Sequence, residues 1–216
     1  MKYVFFDLDG TLVDTGDGIM ASIRHALDVM GEPALDEDTL RCFIGPPLKE
    51  PFMKHCGFSE ERTLEAIQTF REHYARVGKN ICEPYGGIRE MLVRLQHAGF
   101  VLAVATSKPT VFATDILDRF DLSQYFVQIV GSNLDNTRSK KSEVIDYLLS
   151  ALAIKDPSEV VMIGDKAQDL IGGKTCGTKG IGVTYGFGSV EELSAEPHIA
   201  LLDSPAAVAD YLIDVK

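Results

Sequence analysis

Buried parallel sheets announce themselves by short, continuous apolar runs separated by helical patterns, and this chain carries five such runs. Tyr3-Val4-Phe5-Phe6, Val101-Leu102-Ala103-Val104-Ala105, Phe126 to Val130, Val160-Val161-Met162-Ile163 and Gly180 to Val183 each read as a strand with no polar face. A strand without a polar face must be covered on both sides, as happens when parallel strands are joined by crossover helices. The intervening segments supply those helices. Ile88, Met91, Leu92 and Leu95 share one helical face, which stops at Gly99. Val111, Phe112, Ile116 and Leu117 form a second face, in a helix expected to open at Pro109. Val144, Ile145, Leu148 and Leu149 form a third.

The region 16–82 is different, because it has no strand pattern. Ile19, Ile23, Ala26, Leu27 and Met30 mark one helix, closed by Gly31. Leu64, Ile67, Phe70, Tyr74 and Val77 mark the apolar side of another. Ile44-Gly45-Pro46-Pro47-Leu48 between them cannot be helix interior. The expected organisation is therefore an α/β parallel-sheet core, residues 1–15 and 83–216, with a small all-helical unit, residues 16–82, inserted after the first strand. A chain of 216 residues is long enough for both.

Ligands of open parallel sheets bind beyond the carboxyl ends of the strands, and chemically capable residues stand at those ends. The first strand runs into Asp7-Leu8-Asp9-Gly10-Thr11, two carboxylates followed by a residue that permits a sharp bend and a hydroxyl that can bond a carboxylate or a phosphate. The next ends in Thr106-Ser107-Lys108, whose hydroxyls, backbone N–H groups and cation suit phosphate oxygens. Lys140-Lys141 opens a helix, where the helix dipole disfavours positive charge, a local conflict of the kind found at functional sites. Val160 to Ile163 delivers Gly164-Asp165, with Asp169 four residues on, a hard-oxygen set that suits Mg²⁺.

A net charge of −11 excludes a nucleic acid polymer as the main partner, since phosphate backbones are held by clustered Lys and Arg. It leaves a small phosphorylated metabolite open. Cys42, Cys56, Cys82 and Cys176 form no C-x-x-C pair and read as reduced thiols. No stretch approaches about 18 uninterrupted apolar residues, so no membrane partner is expected, and the expected location is the cytoplasm. Either a monomer or a homodimer is compatible with the composition.

The ordered motifs D-x-D-G-T, hydroxyl after a hydrophobic strand, lysine, and G-D-x-x-x-D together resemble the haloacid dehalogenase (HAD) superfamily, in the branch that includes phosphoglycolate phosphatases. They span the core nearly end to end, and the helical insert matches the position of that branch's small cap. The resemblance implies a HAD-like Rossmannoid core and a Mg²⁺-dependent phosphatase acting on a small phosphomonoester through an aspartyl-phosphate. By the same resemblance Asp7 is the nucleophile and Asp9 the acid and base. Mg²⁺ is held by Asp7, the Asp9 carbonyl and Asp165, with Asp169 ligating directly or through water. Thr106 and the Ser107 N–H take the phosphoryl oxygens, with Gly10, Thr11 and Lys108 beside them. Lys141, rather than Lys140, steadies the nucleophile, although Ser142-Glu143 stands where many members have a proline. Arg41, Gly45, Pro46 and Lys49 are the cap residues expected to contact the substrate. A 5′-nucleotidase or a β-phosphoglucomutase-like phosphotransferase would keep the same core motifs. A haloacid dehalogenase would lack Asp9, and a non-enzymatic phosphate-binding module would have lost the nucleophile or a metal ligand.

Overall fold

The structure is a computed structural model that describes residues 1–216. The backbone divides into two compact units, one of Met1–Val13 with Pro84–Lys216 and one of Asp14–Glu83. In order, the elements are β1 (Tyr3–Phe6), β2 (Val13–Asp14), α1 (Gly16–Val29), α2 (Glu37–Arg41), α3 (Lys49–Cys56), α4 (Glu60–Arg76), β3 (Glu83–Pro84), α5 (Ile88–His97), β4 (Val101–Pro109), α6 (Thr110–Arg119), β5 (Gln128–Ser132), α7 (Lys141–Ala151), β6 (Val160–Gly164), α8 (Ala167–Thr175), β7 (Lys179–Val183), α9 (Val190–Ser194), β8 (Ala200–Leu202) and α10 (Pro205–Asp214).

The larger unit is built on a six-stranded parallel sheet in the order β5-β4-β1-β6-β7-β8. Its central strands β1 and β6 are apolar, and all but Tyr3 of their residues are buried, because both faces are covered. Phe5, Ala103, Val130 and Met162 pack against Val144, Ile145 and Leu148 of α7 in one continuous cluster. Each of these side chains larger than alanine contributes roughly 1.5–3 kcal/mol when fully removed from water. The strand order reverses at β1, which has β4 on one side and β6 on the other. That is the switch point where the loops part and leave a crevice. In register, Phe6 lies beside Val104 and Ile163, and the Asp7 N–H donates to the Ile163 carbonyl at 2.8 Å. The ladder thus carries Asp7 to the sheet edge in a fixed position.

Two expectations shift here. β4 continues in extended form to Pro109 (φ −54°, ψ 133°), so α6 opens at Thr110. The register with β5 slips between Ala105 and Pro109, and such a bulge re-aims side chains beside active sites. On α6, Val111 is exposed while Phe112, Ala113, Ile116 and Leu117 are buried.

Apart from Asp14 and Glu83, which lie in β2 and β3, the regular elements of the smaller unit are helices. Ile19, Met20, Ile23, Ala26 and Leu27 of α1 and Ala66, Ile67, Phe70 and Tyr74 of α4 are buried, and α1 and α4 pack together. Leu64 and Val77, expected on that face, are exposed. The true stripe runs through Thr63, Ile67, Phe70 and Tyr74, because the 3.6-residue period turns Leu64 away. Two short helices lie between. α2 is capped by the Asp36 side chain, which accepts from the Thr39 N–H at 2.8 Å, and α3 ends at Gly57 in the left-handed region. Phe52 meets Phe43 edge-on and stacks on Phe58, with ring centroids 5.0 and 6.0 Å apart. No helix is long and apolar enough to cross a membrane.

Candidate active site

Three strand ends and two helix starts converge at the carboxyl edge of the sheet. Asp7 leaves β1, Thr106 and Lys108 lie in the bulged end of β4, Asp165 leaves β6, Asp169 sits in the first turn of α8, and Lys141 opens α7. Asp7, Thr106, Lys108, Lys141, Asp165 and Asp169 are all buried. Buried ions persist only when paired or when they ligate a metal.

Lys141 is the hub. Its ammonium lies 2.9 Å from Asp7 Oδ1 and 2.8 Å from Asp169 Oδ1, and it donates to the Ala105 carbonyl at 3.0 Å. Two carboxylates and one carbonyl thus surround the ammonium. Burial works against the charge of Lys141, but the Asp169 and Asp7 carboxylates outweigh it and hold its pKa above the ordinary lysine value. Lys140 is exposed and makes its contact through its backbone N–H, which donates to Glu143 Oε2 at 3.2 Å. The geometry therefore places Lys141, and not its neighbour, among the aspartates.

The carboxylates are crowded. Asp7, Asp165 and Asp169 each bring an oxygen within 4.8 Å of the others. Burial raises the Asp165 pKa well above the usual range, and the charges of Asp169 and Asp7 add to the effect. Asp169 is pushed up to about 6, by burial first, with Asp7 also raising it and Lys141 opposing both. Its Oδ1 accepts no hydrogen bond of good geometry despite the nearby ammonium, while Oδ2 accepts from the Lys166 N–H at 3.1 Å. Three buried carboxylates face one ammonium, which leaves a deficit of positive charge at a cluster of hard oxygens. A divalent oxygen-seeking cation fits that deficit in charge and in ligand type.

The remaining motif residues are disposed around this cluster. Gly10 adopts φ +79°, and a Cβ there would collide with the Asp165 carboxylate. Thr11 Oγ1 donates to Asp165 Oδ1 at 3.2 Å, so the hydroxyl serves a carboxylate. Lys108, expected among the phosphate ligands, has its ammonium 2.9 Å from both oxygens of Asp9. The Lys108 N–H donates to Thr106 Oγ1 at 3.2 Å, which closes the bulge. Ser107 is half-buried beside it. In the helical unit, Arg41 pairs with Glu37 at 3.5 Å and Lys49 pairs with Glu60, both at exposed positions. Gly45 turns the chain there at φ +104°, followed by half-buried Pro46.

Residues 4–183 match the haloacid dehalogenase-like hydrolase family. The chain belongs to that family. Among its relatives, a 5′-nucleotidase of Pseudomonas aeruginosa is 43% identical over 192 residues, covering 89% of this chain and 86% of the relative. A phosphoglycolate phosphatase of Vibrio parahaemolyticus is 29% identical over 223 residues, covering 100% of this chain and 94% of the relative. The crystal structure of a predicted phosphatase from Clostridium acetobutylicum superposes with a TM-score of 0.94 at 41% identity, covering 99% of this chain and 98% of the other.

One part of this family member's site is not marked by the motifs. After β7, the segment Thr184-Tyr185-Gly186-Phe187-Gly188 folds against both aspartate loops, and the Phe187 N–H donates to Asp165 Oδ2 at 2.8 Å. The available signal was two glycines alternating with aromatics directly after a buried strand, the pattern of a backbone that must approach something closely.

Proposed function

We propose that the protein is a Mg²⁺-dependent phosphatase that hydrolyses a small phosphomonoester, such as phosphoglycolate, through an aspartyl-phosphate on Asp7. The observation that carries this reading is the buried ammonium of Lys141 set between Asp7 and Asp169, with Asp165 in the same cluster.

Asp7, Asp165 and Asp169, with the Asp9 carbonyl, would hold the cation, which when bound neutralises charge on the phosphoryl oxygens and the carboxylates. In the first half-reaction a carboxylate oxygen of Asp7 bonds to phosphorus. The bond from phosphorus to the ester oxygen breaks, its electron pair stays on the leaving oxygen, and the Asp9 carboxyl gives that oxygen its proton. In the second, the Asp9 carboxylate takes a proton from water as the water oxygen bonds to phosphorus and Asp7 is released. The products are the alcohol and inorganic phosphate, and Asp9 is protonated again. Lys141 draws charge from the Asp7 carboxylate and orients it, a contribution that is mainly positional and electrostatic. Thr106 Oγ1 and the Ser107 N–H bind the phosphoryl oxygens, alongside Gly10 and Thr11.

Arg41, Lys49 and the Gly45-Pro46 turn select among substrates. The pairs they make with Glu37 and Glu60 are exposed and screened by solvent, so an anionic substrate can compete for either cation. A second reading, a 5′-nucleotidase, is favoured by the 43% identity to a relative of that name. The test is hydrolysis of phosphoglycolate, nucleoside 5′-monophosphates and hexose phosphates, with Mg²⁺ and with excess chelator. Mg²⁺-dependent release of phosphate from one class supports the reading and names the substrate. Undiminished hydrolysis in excess chelator contradicts it.

A further inference from the structure

The segment after β7 carries no motif residue, yet its contacts run to both loops on which the proposed chemistry depends. The Tyr185 hydroxyl donates to the Thr11 carbonyl at 2.9 Å, in the loop that follows Asp7 and Asp9. Its ring meets Tyr85 edge-on with centroids 5.1 Å apart, and the Tyr85 N–H donates to the Leu12 carbonyl at 3.2 Å, holding the same loop from its other end. Burial, with help from Asp165 and Tyr85, keeps the phenol pKa above its ordinary value, so the hydroxyl remains a donor throughout the neutral range.

Two residues on, the Phe187 N–H donates to Asp165 Oδ2 at 2.8 Å, while Thr11 Oγ1 donates to Asp165 Oδ1 at 3.2 Å. Each oxygen of Asp165 is thus held by one donor. One comes from the segment itself, and the other from a residue whose backbone the segment grips. The remaining lone pairs of Asp165 are left in a fixed direction. Lys166, next in chain to Asp165, donates its ammonium to the Phe187 carbonyl at 3.3 Å and closes the loop of contacts. The packing leaves no room for side chains. A Cβ at Gly186 would strike the Gly10 carbonyl and the Asp165 side chain, and a Cβ at Gly188 would strike the Asp165 carbonyl. A peptide this close to two loops fixes their separation, because neither loop can move toward the other or away without breaking a hydrogen bond.

We propose that Tyr185 to Gly188 is a strap whose function is to hold Asp165 in the orientation that binds the divalent cation, with Tyr185 and Phe187 acting as positioning residues. The inference rests on Asp165 being a metal ligand, as proposed above. Partners that orient a ligating carboxylate typically govern metal affinity by about 10–100-fold.

The test is Mg²⁺ binding by isothermal titration calorimetry on chelator-stripped full-length protein, without substrate, together with the Mg²⁺ concentration giving half-maximal activity. Gly188→Ala forces the strap away from Asp165 and is expected to weaken Mg²⁺ by about 10–100-fold. Tyr185→Phe removes one hydroxyl at nearly constant volume and is expected to weaken it in the same direction, by at least about threefold. For both variants the half-activating Mg²⁺ concentration should rise by more than kcat at saturating Mg²⁺ falls. A role confined to stability would lower the melting temperature and leave the affinity unchanged, and that result overturns the proposal. If Gly188→Ala does not fold, Tyr185→Phe decides alone by the same criterion. Wild-type protein and Asp165→Asn separate the two levels of the account. If the wild type binds no Mg²⁺, the metal reading fails and the strap falls with it. If the wild type binds and Asp165→Asn does not, while both strap variants match the wild type, the strap alone is wrong.

Discussion

Lys108 Nζ lies 2.9 Å from each carboxylate oxygen of Asp9, with both side chains buried. A symmetric grip of this kind fixes the plane of the carboxylate as well as its position. If Lys108 acts through Asp9, then Lys108→Met and Asp9→Asn should each lower kcat/KM by about 100-fold or more. The double variant should lose little beyond the worse single one, because both remove the same function. Steady-state kinetics on the best substrate decide the matter. Losses that multiply would place the work of Lys108 elsewhere, on the phosphoryl group itself.

Lys141 and Lys140 offer a sharper contrast. Lys141→Met strands Asp7 and Asp169 with no buried cation, and removal of one partner from such a group costs about 3–5 kcal/mol. The metal-free variant should therefore unfold at lower denaturant than the wild type, and its turnover should fall by at least about 100-fold. Lys140→Met should stay within about twofold in both, since only its backbone is engaged. Chemical denaturation in chelator, paired with activity in Mg²⁺, measures both halves.

How far these residues could be read in advance depended on how local their signals are. Asp7 and Asp165 each lie directly past the end of a continuous apolar strand and Asp169 four residues further on, in the first turn of α8, so one-dimensional pattern and sheet geometry together locate them. The choice between Lys140 and Lys141 is not local. Which of the two lies among the aspartates depends on which side of α7 faces β4 and α8, a matter of packing. The pairing of Lys108 with Asp9 depends on the bulge in β4, which leaves no compositional trace beyond Pro109. The strap after β7 shows only as alternating glycines. In the helical unit, Leu64 and Val77 are apolar but exposed, because hydrophobic identity marks a helix face only where a partner covers it. The short helices α2 and α3 carry too few turns for periodicity to register, although Asp36 and Gly57 mark their ends.

The proposed function gives substrate choice to the helical unit. Arg41→Ala and Lys49→Ala should raise KM or reorder preference among phosphoglycolate, nucleotides and sugar phosphates, while changing turnover of p-nitrophenyl phosphate by less. Each substitution also removes an exposed ion pair, which solvent screening makes a minor loss for stability. An equal loss on every ester, with the ranking intact, would make the Gly45-Pro46 turn a structural connection.

The helical unit should also lose stability on mild acidification. His25 and His73 stack with ring centroids 4.2 Å apart, and His73 Nδ1 lies 3.0 Å from Ser22 Oγ. Burial, then His25, then Arg76 lower the His73 pKa below its ordinary 6.5. The unfolded chain therefore binds this proton more readily than the folded one. As pH falls through 6.5 the unfolded state gains a proton that the folded state resists, and stability declines until the lower folded pKa is reached. Thermal melts between pH 7.5 and 5.5 should show a smaller loss for His73→Asn than for the wild type. Identical pH profiles would remove His73 as the cause.

The central claim is that Asp7 forms the bond to phosphorus, and Asp7→Asn tests it most directly. The amide keeps the volume and the fold but cannot act as the nucleophile. With Mg²⁺ saturating and the fold verified by its melting transition, kcat/KM of Asp7→Asn on the best phosphomonoester should fall by at least about 10⁴-fold, or about 5.5 kcal/mol of transition-state stabilisation. Activity within about tenfold of the wild type, a deficit of only about 1.4 kcal/mol, would contradict the account and assign the attack on phosphorus to another group.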